Sequence, residues 1–338
     1  MRSRIRTVLI VAITLALLAF FFRDVNFPEV WAETRRANPW LLLAAVVVTG
    51  VTYALRAWRW QSLLAPIGPT RFGTAFRATV IGFAMSFLLP ARAGELIRPY
   101  LLAKKEGLRP AAAFATIILE RLLDLATVLL LFGFFVFTVP AGVLTGDASQ
   151  LTHVKFWGGV AAAAAVGSLG VLFALAGHPE RLGQAAGRVE RVLPARAARI
   201  VAHLVETFAQ GLVVMRRPAQ LGVALLQSFP LWLSLAAGIW LTSQAFSITF
   251  PYSGSFLVMA LLVVGVAVPT PGQVGGFHVA YQVAVQTFFG APDDRAIGAA
   301  IVLHALSFLP VTLVGAVFMA REGLTFQSAQ KLASSEAS

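Results

Sequence analysis

The sequence predicts an all-α integral membrane protein with about six spanning helices and two re-entrant helical hairpins in an inverted-topology repeat. Three observations carry this prediction: the composition, the length of the apolar runs, and two apolar runs that proline and glycine interrupt. Of the 338 residues, 58% are hydrophobic and only 12% are charged, whereas a soluble domain has about 25% charged residues. A chain with so few charges cannot cover a water-exposed surface, which excludes a soluble enzyme or a nucleic-acid-binding protein.

Six apolar runs are long enough to be membrane spans, since about 20 helical residues cross a hydrocarbon core of about 30 Å. They cover residues 5–22, 40–55, 111–139, 156–176, 219–246 and 296–320. The first run follows Arg2, Arg4 and Arg6 and ends without a small-residue cleavage site. An uncleaved anchor is therefore expected there rather than a signal peptide.

Two further apolar runs are interrupted in the middle. Residues 74–89 are followed by Pro90-Ala-Arg-Ala-Gly-Glu95 before the run resumes to 103, and residues 256–268 are followed by Pro269-Thr-Pro-Gly-Gln-Val-Gly-Gly276 before it resumes to 289. Each half is short for a span, and non-helical backbone at membrane depth needs protein or a wet cavity around it. The pattern predicts two re-entrant hairpins. Two ordinary spans joined by short turns remain the alternative.

The basic residues predict the orientation of the chain. With the N-terminus inside, 21 of the 27 Lys and Arg residues fall on the cytoplasmic side, five fall on the opposite side, and Arg121 lies within a span. This asymmetry is the one that the positive-inside rule describes. Both termini are therefore expected in the cytoplasm, and the excess of positive charge is attributed to cytoplasmic loops and anionic headgroups rather than to nucleic acid.

The order span, span, hairpin, span occurs twice, in opposite senses. Inverted repeats of this kind are typical of transporters, which bind their substrate near the membrane midplane beside interrupted helices. The predicted units are one polytopic membrane domain over residues 1–323, with repeats at about 5–139 and 156–320, and a short tail over 324–338. Residues 179–217 between the repeats, rich in arginine, are expected to form a helix on the cytoplasmic surface that contacts anionic lipids.

The first interruption concentrates charge and turn residues. Pro90 ends one half-helix, Gly94 permits the turn, and Glu95 falls in the first turn of the next helix, where the helix dipole favours a carboxylate. Arg92 presents a planar fork suited to a phosphate. Arg98 is positioned to pair with Glu95 or with the ligand. A purely structural ion pair that holds the hairpin together is the alternative.

Glu120, Arg121 and Asp124 lie within the third span, where ionisable groups are costly and are functional candidates by default. Glu120 and Asp124 are four residues apart and share one helix face, and Arg121 is close enough to neutralise Asp124. These acids could relay a proton or bind a coupling cation. Alternatively, they anchor Arg92 or Arg98 in a structural network.

The second interruption is rich in residues that allow unusual dihedral angles and close backbone approach. We expect its backbone, and the half-helix that begins near Gly276, to face an anionic group. Two histidines, His278 and His304, are candidates for titration near neutral pH, with hydrogen-bonded packing as the alternative. The residues assigned to this region are Pro269, Pro271, Gly272, Gln273, Gly275, Gly276, His278 and His304.

Several enzyme classes find no support in the sequence. The chain has no cysteine, which excludes disulfides and thiolate chemistry. It has no Walker A loop and no HExxH motif. We therefore predict a protein that is not an enzyme, with no catalytic residue, no cofactor and no metal site.

Four motifs together resemble the transmembrane, or flippase-like, family of lysylphosphatidylglycerol synthases. The first motif is the stretch from Ser86 to Leu102, and the second is Arg56-Ala-Trp-Arg-Trp60. The third, Glu120-Arg-Leu-Leu-Asp124, is similar to the E-R-x-x-D element of the family. The fourth, residues 269–275, is similar to its P-x-P-G-G-x-G element. Arg56-Ala-Trp-Arg-Trp60 is also typical of a basic-aromatic belt at the membrane interface. The sequence departs from the family pattern at Gln273, where a glycine is usual, and at His278, where a glutamate is usual.

The resemblance implies a protein of the bacterial cytoplasmic membrane that transports lipid or assists lipid synthesis. The best-understood relatives join this domain to a soluble aminoacyl-lipid synthase, and other stand-alone relatives are associated with hopanoid or polyprenyl-linked glycan pathways. A lipid translocase that moves an anionic or polyprenyl-phosphate lipid by alternating access is the leading hypothesis. An ion-coupled transporter of a small solute, and a non-transporting subunit of a lipid or glycan synthesis complex, are the alternatives. The expected partners are membrane lipid, a second copy of the chain, or synthesis enzymes.

Overall fold

The computed structural model of the chain describes residues 27–88, 94–139, 142–144, 148–177, 218–267 and 270–323. The regular structure in these ranges is helical. Four predicted features lie outside the described residues: the span at 5–22, the turn residues Pro90, Arg92 and Pro269, the surface helix at 179–217 and the tail at 324–338.

Ten α-helices follow one another in the described ranges. They are α1 (Phe27–Arg36), α2 (Pro39–Leu64), α3 (Phe72–Leu88), α4 (Gly94–Glu106), α5 (Pro110–Thr138), α6 (Ala148–Gly177), α7 (Pro218–Ala245), α8 (Gly254–Gly265), α9 (Gly276–Phe289) and α10 (Asp293–Arg321), with a 3-10 turn at Pro271–Gln273 between α8 and α9. The all-α prediction is confirmed for these residues.

Three helices, α2, α7 and α10, are long and apolar enough to cross a membrane. Local sequence explains where α2 and α5 begin, since each has proline in its first turn, where the missing N–H is not needed. Asn38 also caps α2 by accepting the backbone N–H of Trp40 at 3.0 Å. The helix α2 continues to Leu64, nine residues beyond the predicted end of its span at 55. The number of spans, about six, stays a prediction.

The helix contacts of the first half recur in the second half. The helices α2 and α7 pack against each other, and Thr52 Oγ1 and Ser234 Oγ are hydrogen-bonded at 2.8 Å where they cross. The helix α3 packs on α10, and α8 packs correspondingly on α5. The helices α4 and α9 each contact the long helix that follows them. Thr52 and Ser234 are 182 positions apart, as are Gly94 and Gly276, which begin α4 and α9.

Glycine pairs hold each hairpin together. A Cβ atom built on Gly94 would collide with the backbone of Gly82 across the α3–α4 contact. A Cβ atom built on Gly276 would likewise collide with the backbone of Gly265 across the α8–α9 contact. Such close backbone approach is the usual role of small residues between membrane helices. The two hairpins are therefore built in the same way, although their turn sequences differ.

The two hairpins start from opposite ends of the helix bundle. At one end, Arg71 contacts Glu106 at 3.3 Å, and Lys105 pairs with Glu322, which joins α4 to the end of α10. At the other end, Arg295 donates to Glu33 at 2.9 Å, close to where α10 begins. The base of the α8–α9 hairpin, at residues 254 and 289, lies with this second end, because α9 leads directly into α10.

The glycine contacts generate a prediction about stability. We expect Gly94→Ala to lower the free energy of unfolding by about 1–3 kcal/mol or more, since the added methyl group has no space. Gly222→Ala on α7 is the control, because a Cβ atom there meets nothing within 4 Å; it should leave stability unchanged or raise it by up to about 1 kcal/mol. Thermal unfolding of both variants in detergent measures the difference. Equal unfolding midpoints would contradict the packing described here.

Candidate functional site

A cluster of charged side chains lies inside the helix bundle. It consists of four arginines and three acids: Arg56, Arg59, Arg98, Arg121, Glu95, Glu120 and Asp124. These residues come from α2, α4 and α5, and α5 packs against both α2 and α4. The cluster is assembled around Glu120 and Asp124, which are buried and lie one helical turn apart on α5.

Asp124 accepts hydrogen bonds from three elements. Arg59 Nη1 lies 2.6 Å from Asp124 Oδ1 and also donates to Ser228 Oγ at 2.8 Å. Trp232 Nε1 donates to the same carboxylate oxygen at 2.9 Å. Arg121 Nη1 lies 3.4 Å from Asp124 Oδ2. Arg59 is fully buried, and Ser228 and Trp232 lie on α7, so this acid links the two halves of the chain.

Glu120 accepts from a second arginine. Arg98 Nη1 donates to Glu120 Oε1 at 2.8 Å, and Arg59 Nη2 approaches the same oxygen at 3.6 Å. The Arg98 guanidinium lies over the ring of Trp60 at 4.0 Å, which is a cation–π arrangement. Trp60 in turn donates to Thr116 at 2.9 Å. Arg98 is only 2% exposed, so its charge is enclosed by protein on all sides.

Arg121 and Glu95 lie at the open side of the cluster. Arg121 Nη2 is 3.6 Å from Glu95 Oε1, and the two side chains are 38% and 33% exposed. Glu95 falls in the first turn of α4, as predicted. The carboxylate contacts of Arg121 range from 3.4 to 4.0 Å, so each of them is longer than the Arg59–Asp124 contact of 2.6 Å and the Arg98–Glu120 contact of 2.8 Å.

Arg56 differs from the other three arginines in its pairing, because it makes no ion pair within the described part of the chain. Its Nη1 atom is buried without a hydrogen-bond partner, as are atoms of the other three guanidinium groups. Its guanidinium lies 4.8 Å from the ring centre of Phe83 and 5.9 Å from that of Trp232. The side chain is thus held by aromatic faces while its hydrogen-bonding capacity is not used.

A cavity of about 410 Å³ lies between the two halves and opens against this cluster. Its polar end is formed by Arg56, Glu95, Arg121, Asp124 and Gln273. The rest of the wall is mostly apolar and includes Val48, Leu125, Leu235, Met259, Leu262 and Leu303. A pocket with an apolar body and a few convergent polar groups is the usual form of a ligand site. This one suits a molecule with a charged group at one end and hydrocarbon at the other.

The second hairpin reaches the same cavity with its turn. Gln273 lines the wall, and the turn packs against the end of α3, where Gly272 lies near the Phe87 carbonyl oxygen. Gly272, Gln273 and Gly275 all have left-handed φ values, of 62°, 58° and 90°. That conformation costs a residue with a Cβ atom about 1–2 kcal/mol. This cost is a physical reason why the P-x-P-G-G-x-G pattern has glycine at the position that Gln273 occupies here.

Two histidines brace this turn. Gly275 N–H donates to His278 Nδ1 at 3.3 Å, and His304 Nε2 donates to the Gly272 carbonyl oxygen at 2.9 Å. The two imidazole rings lie 4.7 Å apart. Neither His278 nor His304 lines the cavity. These contacts agree with the packing alternative, and a direct role for either histidine stays a prediction.

The structure brings most of the predicted site residues together. Glu95, Arg121, Asp124 and Gln273 line the cavity, whereas Glu120 and Arg98 lie behind it as an ion pair. The position of Arg98 in the sequence predicts pairing with Glu95 or with a ligand, whereas its partner in the structure is Glu120. Substrate binding by Arg98, as by Arg92, which lies outside the described residues, stays a prediction.

One interpretation of the sequence is wrong. Arg56, Arg59 and Trp60 were assigned to a belt at the membrane interface, but all three are buried, and Trp58 alone of the four is exposed. The physical reason is that two acids inside α5 need more positive charge than Arg121 supplies. The spacing of the motif could have indicated this arrangement, because Arg56 and Trp60 are four residues apart and share a helix face, as Glu120 and Asp124 do. No comparable pattern in the sequence indicated that Ser228 and Trp232 contact the cluster.

Residues 7–315 match the family described as the lysylphosphatidylglycerol synthase TM region. The chain belongs to this family. The motifs quoted from the sequence lie inside the matched range and include the residues of the charge cluster.

Two archaeal relatives extend the comparison. The chain is 26% identical over 353 aligned positions to the glycosyltransferase AglD of Haloferax volcanii, an alignment that covers 94% of this chain and 55% of AglD. It is 25% identical over 148 positions to a UPF0104 membrane protein of Methanocaldococcus jannaschii, with 43% of this chain and 42% of that protein covered. The chain spans about half the length of these relatives. Together with the apolar helices, the family establishes a membrane protein.

The ion pairs generate a prediction about stability. We expect Glu120→Gln to cost about 3–5 kcal/mol, because it leaves Arg98 and part of Arg59 as uncompensated buried charges. Glu29→Gln, the same chemical change on the exposed face of α1, should cost at most about 1 kcal/mol. Chemical unfolding in detergent measures both values.

A double-mutant cycle tests whether the loss arises from this pair. Arg98→Gln combined with Glu120→Gln should destabilise the protein by less than the sum of the two single losses. Additive losses would show that the contact between these two side chains does not carry the effect.

Proposed function

We propose that this protein is a lipid translocase, which moves an anionic or polyprenyl-phosphate-type lipid between the leaflets of the cytoplasmic membrane. The observation that carries the proposal is the cavity between the two halves. Its charged end and its apolar wall match the two parts of such a lipid, and both halves contribute residues to it. A site between two structural repeats is where alternating access can expose a substrate first to one side and then to the other.

The composition of the wall favours a lipid over a small polar solute. The charged groups of the wall are neighbours, since Arg121 contacts both Glu95 and Asp124. The surface of the wall as a whole is mostly apolar, with side chains of the Val48 and Leu262 type. A water-soluble solute would require polar groups on all sides to replace its hydration, since unsatisfied polar groups in an apolar site are costly. A hydrocarbon chain requires none.

The two hairpins support the inverted-repeat arrangement. The helices α3, α4, α8 and α9 have 12 to 17 residues, or about 18–26 Å at 1.5 Å per residue, which is short for a hydrocarbon core of about 30 Å. They start from opposite ends of the bundle and meet beside the cavity. We infer that both are re-entrant and that each is covered by the long helices of the other half.

In this proposal the charge cluster has two parts. Glu120 and Asp124 are fixed counter-charges that make buried arginines tolerable, because an arginine at the bilayer centre costs about 2.5–3.5 kcal/mol on the most lenient scale. Glu95 and Arg121 are partly exposed to the cavity and rearrange as the headgroup passes. The chain itself performs no catalysis. The name of AglD, a glycosyltransferase, supports a link to lipid-linked glycans, in which this chain would move the lipid carrier.

Blocking the cavity tests the pathway. Gly238 lines the cavity, and a Cβ atom there meets nothing within 4 Å. We expect Gly238→Trp to fill the space and to lower the translocation rate at least tenfold without unfolding the protein. The measurement is dithionite quenching of a fluorescent headgroup-labelled phosphatidylglycerol in reconstituted vesicles.

Gly222→Trp is the matched control. Gly222 lies on the same helix and also has open space around it, but it does not line the cavity. Its translocation rate should stay within twofold of the parent rate. If Gly238→Trp translocates as fast as Gly222→Trp, the cavity is not the lipid pathway.

The proposed topology is tested by cysteine labelling, since the chain contains no cysteine. We expect Lys104→Cys, at the end of α4, to react with an impermeant maleimide only after the cells are permeabilised. Asp294→Cys, at the start of α10, should react in intact cells. Labelling of Lys104→Cys in intact cells would reverse the orientation and contradict the proposed topology.

A further inference from the structure

We propose that Arg56 binds a phosphate group at the polar end of the cavity, so that the substrates are lipids whose headgroup is attached through phosphate. This inference rests on the proposed translocase function, which it makes more specific. The sequence pattern around Arg56 predicts a place at the membrane interface and indicates no role in a site.

The balance of charge within the cluster is the first argument. Four guanidinium groups face three carboxylates, so the cluster carries one unmatched positive charge. Arg59 pairs with Asp124, Arg98 pairs with Glu120, and Arg121 is shared among all three acids. Arg56 is left without a carboxylate partner among the described residues. A buried charge is normally paired, so an anion from outside the chain is the missing partner.

The geometry of Arg56 is the second argument. The residue is 7% exposed, it lines the cavity, and its Nη1 atom has no hydrogen-bond partner. The guanidinium is fixed between the rings of Phe83 and Trp232. An arginine held in this way keeps its planar fork preorganised for a bidentate anion such as phosphate.

The neighbouring groups favour an anion over a cation at this point. The Oδ1 atom of Asp124 already accepts from Arg59 and Trp232. Among the charged residues that line the cavity, the buried atoms without a hydrogen-bond partner are donors, namely Arg56 Nη1 and Arg121 Nε. The other such atoms of the cluster belong to Arg59, Arg98 and Glu120, which do not line the cavity. Arg121 also lines the cavity, so two guanidinium groups are available to one anion.

The composition of the cavity favours a lipid phosphate over other anions. The wall that Arg56 lines also contains Val48, Leu125 and Leu262. In a lipid, the phosphate is the charged group attached nearest to the hydrocarbon. A lipid whose chains occupy the apolar part of the cavity therefore presents its phosphate to the arginine side chains of the same cavity.

The experiment measures equilibrium binding to the full-length chain in detergent by isothermal titration calorimetry. The probes are dioctanoyl phosphatidic acid, dioctanoylglycerol, which has the same chains without phosphate, and inorganic phosphate. We expect the parent protein to bind phosphatidic acid at least tenfold more tightly than either other probe. Arg56→Gln should lose at least tenfold in affinity for phosphatidic acid and should bind dioctanoylglycerol as the parent does.

Two further variants complete the design. Arg71→Gln removes an exposed arginine outside the cavity, with a side chain that is 77% exposed, and should bind like the parent. Arg56→Lys keeps the charge but loses the bidentate fork; it should bind phosphatidic acid several-fold more weakly, and it carries the test if Arg56→Gln does not fold.

The outcomes separate this inference from the proposed function. Equal affinity of parent and Arg56→Gln for phosphatidic acid overturns the role of Arg56, and so does equal affinity of the parent for phosphatidic acid and dioctanoylglycerol. Binding of inorganic phosphate as tight as that of phosphatidic acid would identify a free-phosphate site and overturn the lipid assignment. The Gly238→Trp vesicle assay tests the translocase function separately, because equilibrium binding of lipid does not require transport.

Discussion

The structure depends on the neutralisation of two acids inside the helix bundle. Glu120 and Asp124 lie on one face of α5, and neither can stay ionised there without positive partners. Arg59 and Arg98 supply them, from α2 and α4. Because Trp232 of α7 also donates to Asp124, the same carboxylate fixes the position of the second half against the first. The charge network therefore stabilises the packing of the helices, independently of any contribution to function.

Close backbone contact is the second constraint. Gly82 with Gly94, and Gly265 with Gly276, allow short helices to pair closely inside each hairpin. Helix α3 and the turn at Pro271–Gln273 consequently reach the same region from opposite ends of the bundle and leave a cavity between the halves. The two halves share this helix packing but contribute different side chains near the cavity. The first half supplies the ion pairs of Arg59 and Arg98, and the second supplies a turn that His278 and His304 hold by hydrogen bonds.

This division gives the cavity an asymmetric character that suits an amphipathic lipid. One part of the wall carries the charged side chains of Arg56, Arg121, Glu95 and Asp124, and the remainder is mostly apolar because α7, α8 and α10 contribute mostly hydrocarbon side chains. Arg56 lines this cavity and makes no ion pair among the described residues, whereas the other three arginines of the cluster are paired. This difference is the feature that most directly points to a ligand, and it results from how α2 packs against α3 and α7.

The sequence by itself determined the helical class, the bounds of most helices to within a few residues, and the two interruptions, because apolar periodicity and proline and glycine act locally. It also identified Glu95, Glu120, Arg121 and Asp124, since charges in apolar runs are conspicuous. Only the tertiary structure decided which arginine pairs with which acid. It placed Arg56 inside the protein rather than at the interface, because pairing is set by the packing of helices distant in sequence, and local spacing carries no information about that packing.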